Sequence, residues 1–216
     1  MTVADRNQPS GRLEEKRQAL LDGALRVFAR DGYARASIDD IAREAGVSTR
    51  TLYNHFGSKA GLFEAVIQAS AARVARSQIA MMERQLSAVT DLDADLVAFG
   101  KALLASRADH PEHFALIRQI RADQHHIPRP AIERWQEAGP LRVRSALARY
   151  LSRLGEQGLL RLEDPDRAAV HLLALIATAV EPFAATPLSE EDVDAAIAAA
   201  VRVFLRGYGG EAGAGS

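Results

Sequence analysis

The sequence contains no cysteine, which excludes disulfide scaffolding, thiol redox sensing and thiolate metal sites. Aromatic residues make up only 6% of it and β-branched residues are sparse, so there is little material for strands. No run alternates apolar with polar residues, and no segment repeats. Residues 1–11 are polar and lack the apolar centre of a signal peptide. The longest nearly apolar stretch, residues 168–180, is shorter than the roughly 18 residues a membrane span needs and contains His171. A cytoplasmic protein with no membrane partner is expected. There is also no phosphate-cradling glycine loop, no nucleophile elbow, no HExxH and no paired catalytic groups. These absences argue against an enzyme and against a cofactor.

Charge of one sign is missing too. Lys and Arg number 27 against 28 Asp and Glu, for a net charge of −1. A generally basic, sequence-blind nucleic-acid coat is thereby excluded, although a local basic surface is not. What is present is helix-forming material. Apolar residues reach 48%, enough for a buried core, and Ala, Leu, Arg and Glu dominate.

Start and stop signals place the helices. Residues 1–11 read as a loose arm. A first helix runs from about Arg12 to Arg30, with Leu13, Leu20, Leu21, Ala24, Val27 and Phe28 on one stripe. Asp31-Gly32 ends it. Ser37, with Asp40 three residues on, caps a short helix that turns Ile38, Ile41, Ala42 and Ala45 inward and stops at Gly46. Ser48 caps the next, Thr49 to His55, with Val47 and Leu52 placed as a hydrophobic staple. Gly57 ends it, and Ser58 caps a long helix to about Arg84.

Later starts are marked by Thr90-Asp91, Pro111, Gly139-Pro140, Asp164-Pro165 and Ser189. Pro128 and Pro130 break the chain before a helix at Ala131 to Glu137. The last helix ends near Arg206, and residues 207–216 read as a frayed glycine-rich tail. The expectation is an all-α protein of about nine helices. Residues 12–60 form a helix-turn-helix DNA-binding domain, and residues 61–208 a larger helical domain for ligand binding and dimerisation.

The second and third short helices carry the chemistry. No acid occurs between Glu44 and Glu64, while Arg50, His55 and Lys59 fall there. A helix that buries Leu52 and Phe56 leaves Thr49, Arg50, Tyr53 and Asn54 outward, the side-chain types that bond phosphates and base edges. Their spacing is that of a recognition helix. A helical corner with a solvated basic face is the bland alternative, but it gives no reason for an exposed tyrosine.

Leu20-Leu21 through Phe28, Gly32-Tyr33, Ile41-Ala42, Ala45-Gly46-Val47-Ser48, Thr51-Leu52-Tyr53, His55-Phe56 and Ser58-Lys59 resemble the DNA-binding domain of the TetR (tetracycline repressor) family. The resemblance covers about Leu13 to Ile67. It implies a homodimer that binds double-stranded operator DNA. Thr49, Arg50 and Thr51 would approach bases or backbone, Tyr53, His55 and Lys59 would contact phosphates, and Ser37 and Arg43 would lie alongside. Two positions depart from the pattern: Gly23 stands where alanine is frequent, and Gly61 where a larger or acidic residue is. Each would cost up to about 1 kcal/mol of helix propensity.

For the larger part, the resemblance implies sensing of a small molecule. The residues themselves favour dimerisation through the last two helices. Ala168, Ala169, Leu172, Leu173, Leu175, Ile176, Ala179 and Val180 surround their helix on nearly all sides, and Val193, Ile197, Ala200, Val201 and Phe204 stripe the next. A helix buried within one monomer would show the same pattern.

A pocket for an unidentified, largely apolar effector is expected from Phe99, Leu103, Phe114, Ile117 and Trp135, with Arg118, Arg121, His125 and His171 as polar contacts. His110 to His113, Arg118 to Asp123 and Gly139-Pro140 loosely resemble sensor domains of multidrug-type regulators in the same family. His110, His113, His125 and His126 offer no third metal-ligand pattern, so no metal is expected. The alternatives are a ligand-dependent activator, or a helical enzyme or small-molecule binder that does not use its DNA-binding domain.

Overall fold

The computed structural model describes residues 8–122, 127–180 and 188–210, with side chains from residue 14 onward. Ten helices are present among them: α1 (Gln8–Arg35), α2 (Ile38–Glu44), α3 (Thr49–Phe56), α4 (Lys59–Leu86), α5 (Leu92–Ala105), α6 (Pro111–Ala122), α7 (Arg129–Ala138), α8 (Pro140–Glu156), α9 (Pro165–Ala179) and α10 (Glu190–Tyr208). The only β-type pairing among the described residues is an isolated bridge between Leu160 and Gly209. The fold is all-α, as composition requires.

The starts follow the sequence signals closely. Ser37 accepts the Asp40 N–H at 3.0 Å, Ser48 the Thr51 N–H at 3.1 Å, and Asp91 and Asp164 cap α5 and α9 in the same way. Ser189 and Asp192 form a reciprocal capping box on α10. Three ends differ. The first helix is broken at Gly32 (φ 77°, ψ 170°) and resumes for one more turn to Arg35. That backbone conformation is open to glycine and strained for other residues. Pro130 lies inside the first turn of α7 instead of ahead of it, where its missing N–H removes no helix bond. The last helix continues to Tyr208 and its end is tied down: Arg161 N–H donates to Tyr208 O at 2.7 Å, and Gly210 N–H to Leu159 O at 3.1 Å. Residues 207–210 of the tail expected to fray are thus held, and residues 211–216 lie outside the described residues.

The chain forms two compact units. The first joins residues 1–74 to residues 110–139, so α6 and α7 belong with the helix-turn-helix although α5 separates them in sequence. Its core centres on Leu20, Val27 and Phe28 of α1, Leu52 of α3, Phe63 of α4 and Leu116 of α6. Phe28 meets Phe63 edge-on with ring centroids 5.0 Å apart. Each such fully buried side chain contributes about 1.5–3 kcal/mol. Gly23 lies at the tightest crossing here: a Cβ on it would sit 2.9 Å from both the Cβ and the backbone N of Ala45.

The second unit joins residues 75–109 to residues 140–216. Here α8 packs on α9, α9 on α10, and α10 on α5. Gly100 allows the last contact, since a Cβ there would approach Ile197 Cγ2 to 2.7 Å. The α9 helix buries Ala168, Ala169, Leu172 and Ile176. Its other side is not covered: Val170 is 41% exposed, and Ala174 and Ala177 are exposed. The apolar residues that surround α9 are thus covered on only one side within one chain.

Candidate nucleic-acid interface

The corner between α2 and α3 is built from short-range bonds. Gly46 takes a positive φ of 66°, and its N–H donates to Arg43 O at 3.2 Å while Val47 N–H reaches Ala42 O at 2.9 Å. These bonds turn the chain so that Ser48 can cap α3 at once. Leu52, fully buried, anchors α3 to the core. Phe56 is only half-buried, with the Arg17 guanidinium 5.9 Å from its ring centre.

With Leu52 inward, Arg50, Tyr53 and Asn54 are exposed and Thr49 is half-buried. Tyr53 is 49% exposed, one of the few large apolar side chains left in solvent among the described residues. This is the side-chain set that sequence spacing turned outward. Thr51 is partly committed, because its hydroxyl shares a 2.8 Å hydrogen bond with Ser48 Oγ. His55 is half-buried with its ring 6.1 Å from that of Phe56.

Three other expected residues have local partners. The Ser37 hydroxyl donates to Asp40 Oδ2 at 2.6 Å while capping α2. Arg43 is ion-paired with the same Asp40, whose carboxyl is held below its ordinary pKa by these bonds. Lys59 Nζ donates to Ala34 O at 3.2 Å and lies 4.9 Å from the centre of the Tyr33 ring. Burial lowers the pKa of Lys59. It ties the start of α4 to the end of α1, a role that sequence spacing alone did not reveal.

The residues expected to line an effector pocket are divided. Phe114, Ile117, Arg118, Arg121 and Trp135 belong to the first unit, and Phe99, Leu103 and His171 to the second. Ile117 and Trp135 pack against the first core, and Phe99 is fully buried in the second. Arg118 and Arg121 are exposed. His171 is exposed and shares a 2.6 Å hydrogen bond with the Tyr208 hydroxyl. His125 lies outside the described residues. Trp135 Nε1 and His110 Nε2 are buried without a hydrogen-bond partner. No group of three metal-ligating side chains occurs among the described residues.

The sequence missed one buried polar pair, Ser70 with His113, because the two lie on helices far apart in the chain. Among the described residues no helix is long and apolar enough to cross a membrane.

Comparison with known proteins agrees with this geometry. Residues 20–66 match the model of bacterial regulatory proteins of the tetR family, and residues 94–210 match the C-terminal domain of AefR-like transcriptional repressors. The regulator SrpR of Pseudomonas putida is 44% identical over 54 residues, 25% of each chain. The activator FasR of Mycolicibacterium smegmatis is 49% identical over 55 residues, 26% of this chain and 25% of its own. The repressor AcnR of Corynebacterium glutamicum is 37% identical over 75 residues, 35% of this chain and 38% of its own. The match therefore spans only about a quarter to two-fifths of these relatives.

Solved structures match over far more of the chain. A TetR-family regulator from Mesorhizobium loti superposes with a TM-score of 0.79 at 28% identity, covering 92% of this chain and 98% of its own. The flavonoid-responsive regulator FrrA gives 0.67 at 27%, covering 91% and 98%. With one family model over its helix-turn-helix and another over more than half its length, the chain belongs to the TetR family of bacterial transcription regulators.

Proposed function

We propose that this chain is a ligand-responsive repressor: a cytoplasmic homodimer that binds a palindromic double-stranded operator and releases it when a small, largely apolar molecule binds. The observation that carries this is the α3 face. Arg50, Tyr53 and Asn54 stand exposed on a buried Leu52 anchor, in a stretch from residue 45 to residue 63 that holds no acid. Guanidinium, phenol and carboxamide groups read base edges and phosphates.

Pairing through the last two helices is supported by what they leave uncovered. Val170 on α9 and Val203 on α10, the latter 55% exposed, stand among exposed alanines. Two copies of this pair, related by a two-fold axis, would bury them in a four-helix contact. DNA binding then belongs to residues 12–60, and sensing and pairing to residues 61–208.

An apolar effector with a polar handle is supported by the unpartnered Trp135 Nε1, which lies with Ile117 against the apolar core of the first unit, and by the flavonoid response of FrrA. Ligand and DNA then weaken each other reciprocally. Repression is favoured by the C-terminal family model, which describes repressors. A ligand-dependent activator is the second reading, because FasR, an activator, shares 49% identity over the matched segment.

The test is selection of random duplex DNA by the purified chain at controlled salt. Enrichment of an inverted repeat is expected. Enrichment of nothing by folded protein at low salt, with and without candidate effectors, would overturn the reading.

A further inference from the structure

A cavity of about 630 Å³ opens within the second unit, and none of the residues assigned above to DNA or to an effector lines it. Its walls are the start of α5, the turn between α8 and α9, and the last turns of α10. Leu92, Leu159 and Leu205 give it an apolar lining, and Arg161, Arg202 and Arg206 bring three guanidinium groups to it. This size lies within the range of small-molecule sites.

The cavity wall is fixed by backbone bonds. Gly210 N–H donates to Leu159 O at 3.1 Å, Arg161 N–H to Tyr208 O at 2.7 Å, and Arg161 Nε to Gly209 O at 3.1 Å. Arg161 therefore holds the turn against the end of α10. Glycine is required at the clip, since a Cβ on Gly210 would lie 2.3 Å from Gly158 O.

Arg202 and Arg206 are different. They are one helical turn apart and share the cavity face of α10 with Leu205. Neither is ion-paired to a described carboxylate. Like charges at this spacing repel. Attraction to the negative end of the helix accounts for Arg206 in the last turn but not for Arg202, because that effect fades within one turn.

Two aspartates also line the cavity. Asp91 is committed to capping α5, where it accepts the Ala94 N–H at 3.1 Å. Asp93 adds a negative charge that disfavours a dianion such as phosphate. Three guanidinium groups against two carboxylates leave one net positive charge beside three leucines, which fits a monoanion with an apolar body.

We propose that this cavity is a binding site for amphipathic monocarboxylates, whose head pairs with Arg202 and Arg206 and whose apolar chain lies on Leu92, Leu159 and Leu205. The site is independent of the DNA-binding reading, and its test uses no DNA.

The experiment is calorimetric titration of the full-length chain with octanoate and, in parallel, with 1-octanol. Saturable octanoate binding is expected, with the alcohol weaker by about tenfold or more because it cannot accept paired guanidinium bonds. The Arg202→Gln/Arg206→Gln variant should lose octanoate binding by a similar factor. Arg202→Lys/Arg206→Lys should retain part of it, since charge survives without the fork. Circular dichroism checks that the variants stay helical. No saturable octanoate binding, equal affinity for the alcohol, or full affinity in the glutamine variant would each overturn the proposal.

Discussion

Ser70 on α4 and His113 on α6 share a buried hydrogen bond, Ser70 Oγ to His113 Nδ1 at 2.8 Å. The two residues are 4% and 8% exposed. The bond joins helices that are distant in sequence, inside the unit that carries the helix-turn-helix. Its imidazole is neutral at physiological pH, because burial, and then the nearby His110, push the pKa of His113 from 6.5 down to about 4.

A pH dependence follows. Between pH 6.5 and 4 the unfolded chain binds a proton at this position that the folded chain does not, so stability rises with pH across that window. Above pH 6.5 the folded state carries no penalty from His113. Acidification to about pH 4 should remove up to about 3 kcal/mol. Urea unfolding at a series of pH values is the measurement. His113→Gln should flatten the slope in that window, and an unchanged slope would exclude His113 as its source.

Gly23→Ala should destabilise the protein. Helix propensity alone predicts a gain of roughly 1 kcal/mol, but the added Cβ would meet backbone atoms of Ala45 at 2.9–3.0 Å. Overpacking of this kind costs about 1–3 kcal/mol. Because Ala45 opens the turn into α3, DNA affinity should fall as well. Gly61→Ala should behave likewise, since its Cβ would lie 2.5 Å from Phe56 O. Thermal unfolding with the selected operator present and absent measures both effects.

Arg50→Ala should weaken operator binding by about 1–3 kcal/mol. If Arg50 contacts a phosphate, it should also make the salt dependence shallower by about one counterion. Tyr53→Phe should lose roughly 1 kcal/mol with stability unchanged, because only an exposed hydroxyl is removed. Lys59→Met should differ from both. It breaks the contacts to Ala34 O and the Tyr33 ring, so stability should fall by about 1 kcal/mol even without DNA. Loss of DNA affinity with unchanged stability would show that Lys59 acts on phosphate alone.

Val203→Asp should yield a helical monomer. Val203 is 55% exposed in one chain, so a charge there costs the monomer little, whereas in a two-fold contact it meets its own copy. Light scattering coupled to size exclusion reads the mass. A dimer that survives this change would move the interface away from α10.

The helix starts were legible in the sequence because a cap is a bond between residues three apart. Ser37, Ser48, Asp91, Asp164 and Ser189 each needed only their own neighbours. The exposed set on α3 was legible for the same reason, since Leu52 sets the rotation of a helix of eight residues. The end of α10 was not, because the bonds that hold it, Arg161 N–H to Tyr208 O and Gly210 N–H to Leu159 O, reach a turn some fifty residues earlier.

The sequence by itself thus determined the all-α class, the caps, the helix-turn-helix and the outward face of α3, all of which depend on local bonds and on helical period. Tertiary structure alone decided the rest. It placed α6 and α7 with the DNA-binding helices, required glycine at residues 23 and 100, tied Lys59 to the end of α1 and buried His113 against Ser70. These depend on which helix faces cross and how closely. That is set by the summed packing of many side chains, and no short window of sequence contains it.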